Sequence, residues 1–213
     1  IYNRYQTNKK VMAKQKTKEI TDQEIVNFYT DYVLLNGKKP NSVYEFALKN
    51  DFEESLFYNY FSSFEHLETQ YFVDMFDYSL SLVHKIPEYD SYDASQKLSS
   101  FYFTFFEMAT ANRSFVKYLL QEGKFPLSNI KKLQSLRESF LAYIKEILDA
   151  PYKTEIKNLE KVQSSLIHEG AWLQFMSIIK YWLDDTSKAF EKTDIFIEKS
   201  IRASFDIVYN VPL

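Results

Sequence analysis

The sequence predicts an all-α protein of about nine helices, on three observations. Only 3 Gly and 5 Pro occur in 213 residues, too few turn formers for a many-stranded β fold. Apolar residues recur at helical spacing through most long segments. They make up 46% of the chain, and aromatic residues alone 18%, with 19 Phe and 17 Tyr, so a sizeable core can be buried.

Residues 1–20 show no helical period. They carry Arg4, Lys9, Lys10, Lys14, Lys16 and Lys18 against Glu19, a balance of +5, and read as a flexible basic arm. Met12, followed by Ala-Lys-Gln-Lys-Thr-Lys, reads as a translation start, with residues 1–11 an extension. A first helix is expected from Thr21, with Glu24 completing a capping box. Its apolar stripe is Ile25, Phe28, Tyr29, Tyr32, Val33 and Leu35, and Gly37 ends it. Pro40-Asn41-Ser42 starts a second helix through Val43, Phe46 and Ala47, and Asn50-Asp51 breaks it. A third helix covers about Glu53 to Tyr60. Ser62-Ser63 caps a fourth, which runs to about His84. The second and third helices with their break are short enough for a helix-turn-helix, with Val43, Phe46, Ala47, Phe57 and Phe61 as its small core.

The polar stretch Pro87 to Asp93 separates this module from the rest. A fifth helix, Asp93 to Ala111, is apolar nearly all round at Phe101-Tyr102-Phe103-Thr104-Phe105-Phe106, the mark of burial on most sides. A sixth spans Ser114 to Gln121, a seventh about Ser128 to Leu148, and an eighth Pro151 to Leu183. Asp184-Asp185-Thr186-Ser187 is a turn and cap, and a ninth helix takes Lys188 to about Tyr209.

Several function classes are disfavoured. With no Cys, disulfides and thiolate chemistry are excluded. No apolar run approaches the roughly 18 residues of a membrane span, and the first 20 residues have no signal-peptide pattern, so a cytoplasmic location without a membrane span is expected. His66, His84 and His168 form no metal-binding pair. There is no Gly-rich phosphate loop and no Gly-x-Ser-x-Gly elbow. Asp184-Asp185 and Glu53-Glu54 stand at helix starts, where the dipole favours them. No enzyme, metal or cofactor is expected.

The segment Gly37 to Leu67 resembles the DNA-binding module of TetR-family regulators. Ser42-Val43, Ala47, Tyr58, Phe61, Glu65 and Leu67 fall at the family's spacing over about 50 residues. The resemblance implies a TetR-like fold: a flexible basic arm over 1–20, a three-helix helix-turn-helix head over 21–67, and a ligand-binding and dimerisation body over 68–213. It implies DNA contacts from Lys39, Asn41, Ser42, Tyr44, Ser55, Tyr58, Asn59 and Tyr60. Lys14, Lys16 and Lys18 of the arm would add phosphate or minor-groove contacts. Against the family pattern, Glu53-Glu54 replace small or basic residues, Phe64 replaces a phosphate-contacting Lys, and Asp51 replaces a turn Gly. Residues 21–70 have a balance of −6, which works against phosphate binding.

The aromatic belt of the fifth helix has two readings: plain core, or a pocket for a bulky hydrophobic small molecule or lipid. The pocket reading places Tyr102, Phe105, Phe106, Phe140, Trp172 and Phe175 at its wall, with Arg113 and His168, beside Tyr102 and Glu107, as orienting polar groups. The resemblance also implies a homodimer through the eighth and ninth helices, with Phe190, Ile197, Ile201, Phe205 and Val208 as an apolar stripe on the ninth. The function implied is a ligand-responsive transcriptional regulator. A second similarity points to an alternative. Tyr181-Trp182-Leu183-Asp184-Asp185-Thr186-Ser187 with Thr193-Asp194-x-Phe196-Ile197 is similar to a stretch in TetR-fold lipid-binding proteins of ubiquinone biosynthesis. That suggests a lipid- or isoprenoid-binding accessory protein with a degenerate DNA-binding head.

Overall fold

A computed structural model describes residues 20–121, 132–148 and 157–210, and among these it contains nine α-helices and no strand. They are α1 (Asp22–Asn36), α2 (Val43–Lys49), α3 (Glu54–Phe57), α4 (Phe64–Val83), α5 (Ala94–Ala111), α6 (Arg113–Gln121), α7 (Gln134–Leu148), α8 (Lys157–Asp184) and α9 (Glu191–Asn210). Short 3-10 turns lie at Tyr89–Ser91 and Lys188–Phe190. The chain divides between Leu67 and Glu68 into two compact units. The basic arm, including Lys14, Lys16 and Lys18, lies outside the described residues.

The head is set by caps and aromatic packing. Thr21 and Glu24 form the reciprocal capping box of α1, and Gly37 closes that helix at φ 66, in the left-handed region glycine favours. Ser42 caps α2, accepting from the Glu45 amide at 3.1 Å. The core gathers Tyr29, Phe46, Phe57 and Phe64. The Phe64 ring lies 5.1 Å from Tyr29, 5.4 Å from Phe46 and 5.4 Å from Phe57. Offset and edge-on rings at such distances add to the energy of burial. Val43 is half-buried at the margin, while Ala47 and Phe61 are buried.

The expected starts of the seventh and eighth helices, at Ser128 and Pro151, lie outside the described residues. The third and ninth helices differ from the sequence expectation within them. The third helix is expected to reach Tyr60, but α3 is only Glu54–Phe57. Glu53 makes no side-chain cap bond there, and the run Phe57 to Phe61 is aromatic and Asn-containing, of poor helical preference. Turn hydrogen bonds carry the chain onward, from the Tyr60 and Phe61 amides to the Phe57 carbonyl at 3.1 and 2.9 Å. The ninth helix begins at Glu191 rather than Lys188, because Ala189 and Phe190 adopt left-handed φ of 52 and 58.

Asp51, where the family pattern has glycine, stands in the turn after α2 at φ 57. An L-residue with a side chain is disfavoured in this region, Asp less than most. Replacing Asp51 with Gly should therefore raise the stability of the head by about 0.5–1 kcal/mol. Urea denaturation should show a higher midpoint, and an unchanged or lower midpoint would contradict the strain.

In the body α9 packs on α5 and α8, α8 on α7, and α7 on α5. The core is a cluster of stacked and edge-on rings. Phe175 lies 4.6 Å from Phe140, 5.0 Å from Phe105, 5.5 Å from Tyr102 and 5.9 Å from Trp172. As the sequence predicts, Phe101, Tyr102, Phe105 and Phe106 of α5 are all buried.

Asp185 organises the α8–α9 corner. Its carboxylate accepts from the Ser187 amide at 2.7 Å, the Thr193 amide at 2.9 Å and the Thr193 hydroxyl at 2.7 Å. These bonds satisfy amides at the start of α9 and explain why the helix begins late. Burial acts to raise the Asp185 pKa, but hydrogen bonds from Ser187 and Thr193 outweigh it and hold it at about 2, below the usual 3.8. A depressed carboxylate contributes stability that is full above the unfolded value and is lost as pH falls through the folded one. The body should therefore weaken between about pH 4 and pH 2. Urea titrations across that window should show a smaller loss for Asp185→Asn than for the wild-type chain; equal losses would contradict this role.

Candidate functional site

Two separate places are candidates for a functional site: the exposed face of α2 and α3 in the head and a cavity in the body. On the head, Tyr44, Ser55, Tyr58, Asn59 and Tyr60 are all exposed, as DNA-contacting residues must be. Several polar groups are engaged within the head. Asn41 donates to the Glu45 carboxylate at 2.9 Å, and the Ser42 hydroxyl caps α2. The Tyr58 hydroxyl donates to Glu54 at 3.3 Å, and Tyr60 to the Ile20 carbonyl at 3.0 Å. Local desolvation first, then the adjacent Glu54 carboxylate, raises the Tyr58 pKa. Lys39 is half-buried and ion-paired with Glu65 at 3.0 Å. The Lys39 hydrogen bond is the main reason the Glu65 pKa is lowered.

Over residues 20–67 the cations Lys38, Lys39 and Lys49 stand against Asp22, Glu24, Asp31, Glu45, Asp51, Glu53, Glu54 and Glu65, a balance of −5. Lys49 sits over the Tyr32 ring at 4.8 Å. The family pattern puts the position of Phe64 on the DNA-facing surface. Phe64 is instead buried in the head core, because three aromatic rings leave an apolar slot that a phenyl ring fills and an ammonium would not.

In the body, the residues expected at a ligand wall are brought together, but against one another. Tyr102, Phe105, Phe106, Phe140, Trp172 and Phe175 are buried and share ring contacts. Arg113 clamps the end of α8. Its guanidinium donates to the carbonyls of Trp182, Leu183 and Asp185 at 2.9, 3.0 and 3.3 Å. It lies 4.4 Å from the centre of the Trp182 ring and 4.5 Å from that of Phe190. The fork thus answers carbonyls at the C-terminal end of α8, where a cation is favoured. Glu107 is exposed and His168 half-buried.

The cavity lies beside this cluster, between α5, α7, α8 and α9, with a volume of about 280 Å³. Its wall is aliphatic: Leu98 of α5, Ile144 and Ile147 of α7, and Ile167 and Ala171 of α8. Among the described residues, Gln174 and Ser204 are its two hydrogen-bonding side chains, and Phe205 its single ring. Gln174 Nε2 donates to the Ser204 hydroxyl at 3.0 Å, and the Tyr102 hydroxyl donates to Gln174 Oε1 at 3.3 Å. Burial raises the Tyr102 pKa well above the ordinary tyrosine value, so it is a neutral donor. Of the expected ligand residues, only Tyr102 reaches this cavity wall, one hydrogen bond removed. Ala171, half-buried beside the exposed Gly170 in α8, is the small residue on this side of the wall.

The expected apolar stripe of α9 is divided. Ile197 and Ile201 are buried within the protomer, and Phe190 and Phe205 are half-buried. The Val208 side chain lies outside the described residues. The sequence suggests a single helix face awaiting a partner, but α5 and α8 already cover its centre. The apolar residues left exposed on α8 and α9 include Leu166, Leu173, Tyr181, Ile195 and Ile207.

Among the described residues no helix is long and apolar enough to cross a membrane, and no group of acidic and His residues is placed to hold a metal ion. A family model for the tetracyclin repressor-like C-terminal domain matches residues 97–213, more than half of the chain. No curated protein and no solved structure matches the chain at a significant level. With most of its body covered by that model, and nine helices without a strand among the described residues, the chain belongs to the tetracyclin repressor-like, or TetR, family.

Proposed function

We propose that the protein is a ligand-responsive transcriptional regulator that binds DNA as a homodimer. The observation that carries the reading is an apolar cavity with a minimal polar anchor inside the body that matches the repressor-like C-terminal domain. A ligand there shifts the preferred separation of two heads, and with it their fit to half-sites about one DNA turn apart. The DNA contacts proposed are Tyr44, Ser55, Asn59, Tyr58 and Tyr60, with Asn41 and Ser42 at the start of α2 and Lys39 beside them. The arm lysines Lys14, Lys16 and Lys18 add phosphate neutralisation. A selection of duplexes from a random pool by the full chain tests this. An enriched two-fold symmetric site supports it, and a pool that stays random at low salt counts against it.

A second reading is supported by the head's own chemistry. Its balance of −5, the Lys39–Glu65 pair and the burial of Phe64 all weaken phosphate attraction. In that reading the protein is a lipid- or isoprenoid-binding accessory protein whose head serves only as a folding unit.

The homodimer is proposed to form through α8 and α9. On α8, Leu166, Gly170, Leu173, Ser177 and Tyr181 fall at helical spacing on exposed positions. A Cβ at Gly170 would meet nothing within 4 Å in the protomer. A helix-interior glycine costs about 1 kcal/mol relative to Ala, and close approach of a partner helix would account for it. Leu173, 64% exposed, is the central apolar residue of this face. Leu173→Glu should weaken association by about 2–4 kcal/mol. Sedimentation velocity at micromolar concentration should show dimer for the wild-type chain and monomer for the variant; a wild-type monomer would contradict the proposal.

A further inference from the structure

We infer that the cavity takes an uncharged, largely aliphatic ligand bearing one hydrogen-bond acceptor, held by Gln174 and Ser204. This rests on the cavity being the regulatory ligand site proposed above. Among the described residues, no side chain lining the cavity is charged. A carboxylate or ammonium brought among Leu98, Ile144, Ile147 and Ile167 would lose its hydration with nothing to offset it.

The polar anchor has a definite sense. The Gln174 carbonyl already accepts from Tyr102, and the Ser204 oxygen already accepts from Gln174. What the pair still offers is donors: the second amide N–H of Gln174 and the Ser204 hydroxyl proton. A carbonyl or ether oxygen satisfies both donors, while each of the two oxygens already accepts one bond within the protein.

The body of the ligand follows from the wall and the volume. Aromatic ligands gain from facing rings, but Phe205 is the single ring in the described wall. The other rings of the body stack upon one another in the adjoining cluster. An apolar cavity of about 150 Å³ takes up benzene, so about 280 Å³ accommodates roughly ten to twelve carbons. The two most exposed apolar residues of the wall, Leu166 and Ile207, are 62% and 56% exposed.

The test is calorimetric titration of the full chain at neutral pH with methyl decanoate, 1-decanol, decanoate, decylammonium and 1-naphthol. Methyl decanoate and 1-decanol should bind, and the two ions and the naphthol should bind at least about tenfold more weakly. Gln174→Leu should weaken methyl decanoate by about five- to tenfold and leave decane-like contacts intact. Ala171→Phe, which fills the space, should abolish binding; should it fail to fold, Gln174→Leu decides alone. Decanoate or decylammonium binding as tightly as methyl decanoate overturns the uncharged ligand while leaving the cavity as a ligand site. Naphthol binding as tightly overturns the aliphatic one. Undiminished binding by Gln174→Leu, or by a folded Ala171→Phe, overturns the placement. No binding by any of the five probes overturns the cavity reading itself.

Discussion

Glu68→Ala is expected to destabilise the body by about 3–5 kcal/mol, the cost of removing one member of a buried ion pair. The Glu68 side chain is fully buried, and its Oε2 accepts from Lys132 Nζ at 2.9 Å. Lys132 is itself only 13% exposed and also reaches the Leu119 carbonyl at 3.4 Å. Removing the carboxylate takes a charge partner from an ammonium that water hardly reaches. A double replacement, Glu68→Met with Lys132→Met, should recover most of the stability, since a buried pair is often no better than apolar side chains of like size. Both tryptophans, Trp172 and Trp182, lie in the body, so their fluorescence in urea reports on it. A cost below about 1 kcal/mol for Glu68→Ala would mean that water reaches the pair.

Phe175→Ala should cost about as much, roughly 3–5 kcal/mol, for a different reason. Phe175 is fully buried at the centre of the ring cluster, touching Phe101, Tyr102, Phe105, Phe106, Phe140 and Trp172. Truncation removes the transfer energy of the ring and leaves a void that stiff aromatic neighbours cannot close. Phe175→Leu should cost distinctly less. The same urea titration measures both, and a cost below about 1.5 kcal/mol for Phe175→Ala would show a cluster loose enough to collapse around the gap.

Much of the fold is legible in the sequence because its signals are local. Thr21 with Glu24, Gly37, Ser42 and Asp93 are caps whose chemistry acts within three or four residues, and the helices begin or end where they stand. Helical apolar spacing likewise announces the burial of Phe46, Ala47, Phe101 and Phe105. What the sequence hides depends on partners distant along the chain. Arg113 reads as a lone cation beside an aromatic belt, yet its partners are carbonyls about seventy residues on. Phe64 looks like a departure at a surface position until Tyr29, Phe46 and Phe57 are seen around it. The aromatic belt reads as a ligand wall, but rings pack so well with one another that they fill their own space. The remaining space lies among branched aliphatic residues near Gly170 and Ala171.

The two readings of the head differ in what they ask of its charge. For a regulator, the arm's +5 must offset the head's −5 near DNA, and the affinity must fall steeply with salt. For an accessory protein no such demand exists. Fluorescence anisotropy of the full chain on random duplex DNA, from low to physiological salt, separates them most directly. The regulator reading predicts binding at low salt. It predicts that removing residues 1–18 flattens the log–log salt slope by about one unit for every phosphate that the arm neutralises. It also predicts tighter non-specific binding when Glu53 and Glu54 are replaced by Ser and Lys. Absence of binding by the full chain at low salt, with no gain from those two replacements, would contradict it and leave the lipid-binding accessory protein as the function.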